Sequence, residues 1–216
     1  MPLFFKQLVS LRMFTGLISA LALVSCSTGS SESAKNISLN LDAESEISSI
    51  TFIHNQGHRG LNGFAVAFGD EGSAIYNMDG DEIWKETIPA KLVTYDGHAL
   101  LIYRTHEDKT ILDRYSVSDV TYVGFLERQM PSEIAATTLQ RTSFSSLGPL
   151  TISGDIVRMP SENFTKTVSY SSNRSVAAIA STSKPMPYFP DGVVAIASAD
   201  GHIELLSEMD FKSSLK

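Results

Sequence analysis

Three groups of side chains in this 216-residue chain have the types and spacing that chemistry needs: one cysteine, five histidines and an oxygen-rich run near residue 80. The single thiol, Cys26, has no partner for an intrachain disulfide. Asn77-Met78-Asp79-Gly80-Asp81-Glu82 sets oxygen ligands at alternate positions, as a calcium loop does. An EF-hand needs glycine at its sixth position and glutamate at its twelfth; counted from Asn77, glycine is fourth and the twelfth residue is Ile88. The run is therefore expected to be a type I′ hairpin turn centred on Asp79-Gly80 rather than a metal site. His54 and His58 are four apart, but Gly57 and Gly60 oppose the helix that would face them one way. With no second thiolate and no H-E-x-x-H, zinc ligation is not expected of His54, His58, His98, His106 or His202, which read as surface or loop residues. Ser146-Leu147-Gly148 and Ser153-Gly154-Asp155 lack the flanks of a nucleophile elbow, and no phosphate-binding or dinucleotide fingerprint occurs. The residues thus lean away from an enzyme, and no metal or other cofactor is expected.

Cys26 gains meaning from what precedes it. Lys6 and Arg12 make a basic start, and Met13 to Val24 is apolar apart from Thr15 and Ser19. That is an export signal whose apolar stretch is shorter than the roughly 20 residues of a permanent span. It ends in Leu23-Val24-Ser25-Cys26, which resembles the lipobox of bacterial lipoproteins. The resemblance implies a diacylglycerol thioether on Cys26, cleavage before it, and acylation of the new amino terminus. Ser27, where an acidic residue would favour the inner membrane of a Gram-negative cell, resembles the outer-membrane default. The resemblance therefore implies a lipid-anchored protein of the bacterial cell envelope, facing the periplasm, with membrane lipid as its first partner.

The rest of the chain must position whatever the anchored protein does. Residues 1–25 are expected to be the signal peptide, 26–45 the lipidated cysteine and a flexible tether that opens Ser27-Thr28-Gly29-Ser30-Ser31, 46–211 one β-rich domain, and 212–216 a frayed tail. With Lys6 and Arg12 removed, 15 basic side chains stand against 24 acidic ones, a formal charge of -9. No run of Lys or Arg stands out, so nucleic acid is not an expected partner.

Period-two patterns rich in β-branched residues dominate after residue 45. Strands are expected at 48–54, 64–68, 74–78, 82–85, 91–95, 99–104, 111–117, 120–126, 150–158, 165–170, 175–180, 193–199 and 202–207, with a short helix at 132–140. Asp79-Gly80, Asp96-Gly97, Ser118-Asp119 and Asp200-Gly201 mark hairpins. The proline-rich stretch Ser183 to Pro190 is expected to lie outside any sheet. Corners near Gly80, Asp119, Ser161 and Asp200 recur at intervals close to the length of a propeller blade. The expected fold class is all-β, propeller-like or a twisted sandwich of short antiparallel strands. Trp84, the one tryptophan, is expected to be buried and structural.

Residues 69–83, from Gly69-Asp70-Glu71-Gly72 through Ala74-Ile75-Tyr76 to Asp79-Gly80 and Ile83, look like a blade of bacterial β-propeller phytases. That resemblance implies blade geometry and, as an alternative function, a calcium-dependent phosphomonoesterase. In the stretch where the family places ligands, Lys91 to His98, only Asp96 could serve as one. His58-Arg59-Gly60 resembles the opening motif of glycerophosphodiester phosphodiesterases, but the Glu-Asn pair that follows there is absent. The function expected is a non-catalytic binding or envelope-assembly module. A second alternative is a structural envelope lipoprotein completed by a protein partner.

Overall fold

The structure, a computed structural model, describes residues 36–41, 46–54, 61–106, 109–120, 122–128, 142–145, 148–160 and 167–216. All of them belong to one compact unit, Ser31–Lys216. Cys26, the expected helix at 132–140, His58-Arg59-Gly60 and the corner near Ser161 lie outside the described residues.

The described chain is all-β, as its alternation demands, with one short helix. Strand β1 is Asn36–Asn40. The first sheet follows as β2 (Ser49–His54), β3 (Asn62–Ala67), β4 (Ser73–Asn77) and β5 (Glu82–Glu86). The second is β6 (Leu92–Tyr95), β7 (Ala99–His106), β8 (Lys109–Ser116) and β9 (Tyr122–Arg128). The third is β10 (Thr142–Ser145), β11 (Gly148–Ser153), β12 (Ile156–Pro160) and β13 (Thr167–Ser171). The fourth holds β14 (Val176–Thr182), β15 (Val193–Ser198) and β16 (His202–Ser207), and β1 completes it in the order β1-β16-β15-β14. Helix α1 is Glu208–Ser214.

Three sheets are antiparallel meanders in sequence order, and the fourth is a three-strand meander with β1 added at its edge. The first strands of the meanders lie beside one another, β14 contacting both β10 and β2, and β2 contacting β6. Four small antiparallel sheets with one helix bear out the expected all-β class of short antiparallel strands, and the arrangement is consistent with the expected twisted sandwich. The corners near Gly80 and Asp119 fall at the same place, between third and fourth strands, whereas Asp200 sits between β15 and β16, the second and third of their meander.

The inner strands β3, β4 and β15 are mostly apolar because both of their faces are covered. Phe64 and Val66 of β3 and Ala74 and Tyr76 of β4 face a core shared with Ala195 and Leu205 of the fourth sheet. Ala65, Ala67 and Ile75 face the other way, onto Leu100 and Ile102 of the second. Val194 and Ile196 of β15 meet Val157 and Met159 of the third. Three cores thus alternate with the sheets. Fully burying one such side chain contributes about 1.5–3 kcal/mol.

Several expectations need correction. Asn36 to Asn40 lies in the expected tether, yet it is a strand paired from Asn36↔Leu206 to Asn40↔His202. Its Ile37 and Leu39, alternating with polar residues, pack on the core between the first and fourth sheets. The expected strand 150–158 is two, because Gly154 (φ 63) turns the chain between β11 and β12. The expected frayed tail is ordered. The Ser207 hydroxyl caps α1 by accepting from the Asp210 amide at 3.0 Å, Phe211 is fully buried, and Lys216 exchanges two backbone bonds with Ser169 at 3.0 Å each.

Two details of the first sheet differ as well. Asp79-Gly80 is not a type I′ turn, which needs positive φ at both residues; among described non-glycine residues only Val120 and Tyr188 have positive φ. Gly80 donates to the Asn77 carbonyl at 3.2 Å and alone is left-handed (φ 89), a three-residue loop ending in a glycine bulge. Trp84 is half-buried, because β5 is the outermost strand of its sheet and one side of it meets solvent. Its ring packs edge-on against Tyr115 of the second sheet, centroids 5.0 Å apart, so it does join two sheets.

Candidate functional site

Three first strands from three sheets, β2, β6 and β14, wall a cleft of about 550 Å³. β2 and β6 run the same way. Near their starts Ser49 Oγ donates to the Val93 carbonyl at 3.2 Å, and near their ends the Tyr95 hydroxyl lies 2.9 Å from the His54 carbonyl. The residues at and just past these ends, with those of β14, therefore gather at one mouth. They are His54, Tyr95, Asp96, Ser181, Thr182 and Lys184.

Tyr95 sets the mouth's shape. Its one hydroxyl proton is shared between the carbonyls of His54 at 2.9 Å and Gly97 at 2.8 Å, tying β2 to the turn after β6. Burial, then the Asp96 charge, holds this phenol above its ordinary ionisation range. The Asp96 carboxylate accepts from the His98 and Ala99 amides, both at 2.8 Å, and so builds its own hairpin. Partial burial would raise this carboxyl, but those two amides, with the charges of Arg114 and His98, outweigh it and keep the acid below its ordinary range. Burial first, and the nearby Lys184 ammonium second, depress the His54 imidazole. His54 Nδ1 and Ser181 Oγ are both shut off from solvent with no hydrogen-bond partner. The Lys184 side chain is exposed, and no described residue pairs with its charge.

The other residues singled out by type are scattered. Asn77 Oδ1 accepts from the Asp79 and Asp81 amides at 2.9 and 2.8 Å, and its Nδ2 donates to Asp81 at 2.9 Å, so the oxygen-rich run closes its own turn. His202 lies on β16, where its Nδ1 is 2.8 Å from Asn40 Oδ1 of β1. His98 is exposed in the β6–β7 turn, and nothing brings it to His202. Ser153-Gly154-Asp155 is the β11–β12 hairpin. No group of three His, Cys, Asp or Glu side chains that could hold a metal occurs among the described residues. No helix among them is long and apolar enough to cross a membrane.

Inspection of the sequence for motifs passes over Lys184, Ser181 and Tyr95 because none stands in one. The signal they share is positional: each sits at or just past the end of the first strand of a sheet, and that strand can be named only once the sheets are known.

No protein-family model matches the chain, and no curated protein does. Among solved structures, the chain is similar to an extracellular domain assigned to a hybrid two component system of B. thetaiotaomicron, at 12% identity and a TM-score of 0.28. That likeness covers 77% of this chain and 23% of the other, and at such a score it carries no weight for fold or function.

Proposed function

We propose that this chain is a lipid-anchored, periplasm-facing lipoprotein of a bacterial envelope that acts as a non-catalytic binding module, with the cleft between β2, β6 and β14 as its ligand site. The observation that supports binding is the gathering of His54, Tyr95, Asp96 and Lys184, from three sheets, at one mouth of that cleft. Concave sites with a few convergent polar groups are where small molecules bind. Anchoring rests on Leu23-Val24-Ser25-Cys26 at the end of an export signal. Nine residues, 27–35, separate Cys26 from β1. A flexible linker of that length has a root-mean-square reach of about 15–18 Å, so the domain would work close to the bilayer and to any envelope partner.

Two measurements test the reading. Cells fed a fatty-acid analogue should label the wild type and not Cys26→Ala, which should accumulate as uncleaved precursor. Equal label on both would overturn the anchor. The full chain titrated with calcium should keep its melting temperature. A calcium-dependent rise, lost in Asp96→Asn, would replace the binding module with the phytase-like hydrolase.

A further inference from the structure

We propose that the cleft mouth binds a compact anion, a carboxylate or a tetrahedral oxyanion, between the Lys184 ammonium, His54 Nδ1 and Ser181 Oγ. This rests on the cleft being the ligand site. Buried polar atoms in proteins are nearly always hydrogen-bonded, so each exception calls for a reason. Arg104 Nε aside, which is ion-paired with Asp113, three buried side-chain polar atoms among the described residues lack a hydrogen-bond partner, and two of them, His54 Nδ1 and Ser181 Oγ, belong to side chains in this one wall. A hydroxyl can turn about χ1 and an imidazole about χ2, so both can be presented to a group in the cleft.

The sign of the ligand follows from the charges that face it. From β2 comes His54; from β6 and its turn come Tyr95 and Asp96; beyond β14 comes Lys184. Asp96 is the one carboxylate among the described residues of the wall, and its Oδ1 is committed to two amides. Tyr95 donates to backbone carbonyls. That leaves the Lys184 cation unpaired among described residues and close enough to His54 to disfavour its protonation. An anion between them offsets that repulsion and stabilises the imidazolium, so binding takes up a proton at His54. Affinity should therefore rise as pH falls.

The full chain in detergent, titrated with sulfate and separately with acetate, tests this through the His54 ring resonances. Neither anion changes its own charge between about pH 6 and 8, so a pH dependence reports the protein. Either anion should move the His54 signals saturably, raise the His54 pKa, and bind at least about tenfold more tightly at the lower pH. Which anion does so separates the oxyanion source from the carboxylate source. Lys184→Gln, an exposed change that leaves the fold intact, should weaken binding about tenfold, and Ser181→Ala should weaken it less. Equal affinity in Lys184→Gln, or no anion effect at His54, would overturn the proposal. In the second case, His54 signals that respond instead to neutral glycerol or to zwitterionic glycine would keep the cleft as the binding site and show its charge class to be wrong. Silence toward every solute would remove the cleft reading as well.

Discussion

The Tyr188 hydroxyl donates to Asp79 Oδ1 at 2.7 Å, joining two turns 109 residues apart. One turn closes β4 on β5; the other lies in the proline-rich connection between β14 and β15, where Met186 and Phe189 exchange two backbone bonds of 3.0 Å. Tyr188 holds φ 67, a left-handed conformation that costs a residue with a Cβ about 1–2 kcal/mol, so its neighbours fix it there. The bond to Asp79, and then the Asp79 charge, raises the Tyr188 ionisation above its ordinary value. Asp79→Ala should bring it back down, read from phenolate absorbance against a Tyr188→Phe control. Asp79→Asn keeps an acceptor oxygen and should move it less. A Tyr188 titration unchanged in Asp79→Ala would show that the bond does not form in solution.

Tyr170 should be the more stubborn phenol. Burial first, then the charge of Glu204 and a 3.0 Å bond to it, push its ionisation up to about 12. A folded value above the unfolded one, about 10, means a contribution to stability that is complete below pH 10 or so and lost as pH rises through about 12. Denaturant midpoints should fall across that window in the wild type and fall less in Tyr170→Phe. Equal slopes in the two would dismiss Tyr170 as the cause.

Trp84 reports on the joint between the first two sheets. A half-buried indole against Tyr115 should emit between the buried and the water-exposed extremes, with partial acrylamide quenching. Trp84→Ala should cost about 1–3 kcal/mol, below the 3–5 of a fully enclosed tryptophan, because part of the ring is already in water. A loss above that range by urea denaturation would mean that the edge strand is covered in solution.

Gly80 tests the corrected turn. It is left-handed, and a Cβ there would stand 3.1 Å from Leu39 Cδ2. Gly80→Ala should destabilise by about 1–2 kcal/mol. Part of that loss should vanish in a Leu39→Ala background, which clears the contact with β1. Strictly additive losses would show that backbone conformation alone sets the cost.

Arg104 is the most enclosed charge in the described chain, at 6% exposure, and it clasps the same joint from the inside. Its Nε lies 2.5 Å from Asp113 Oδ2, Nη1 donates to the Ile88 carbonyl at 2.7 Å, and Nη2 to the Tyr115 hydroxyl at 3.2 Å. Removing one partner leaves a buried charge uncompensated, so Asp113→Ala should cost about 3–5 kcal/mol. Arg104→Met with Asp113→Leu should cost less than the sum of the single changes. Additivity in that cycle would mean that the two charges are not coupled.

The inner strands were legible because both of their faces are apolar: Phe64-Ala65-Val66-Ala67 can be little else but a strand covered on two sides. Asn36 to Asn40 was not, since two apolar residues in a polar tract become a strand only against a partner more than 160 residues away. The helix after Ser207 was legible in principle, from Ser207 with Asp210 three residues on, a capping pattern that the neighbouring strand signal outweighed. The expected type I′ turn failed at Asn77, whose side chain accepts two amides and so makes a left-handed Asp79 unnecessary. The cleft was invisible for a different reason. His54, Tyr95 and Lys184 share no local pattern, and only the parallel run of separate sheets brings them together.

The pairing of β1 with β16 sets a schedule. Asn40, which faces His202, is made 162 residues before it, so at a synthesis rate of about 5–20 residues per second the earlier strand waits about 8–32 seconds for its partner. Until then β1 has no strand to pair with, and its Asn36 and Ile37 wait for Leu206 and Leu205. A half-made chain therefore cannot complete its fourth sheet. Once β16 arrives, the first described strand is stitched to the last.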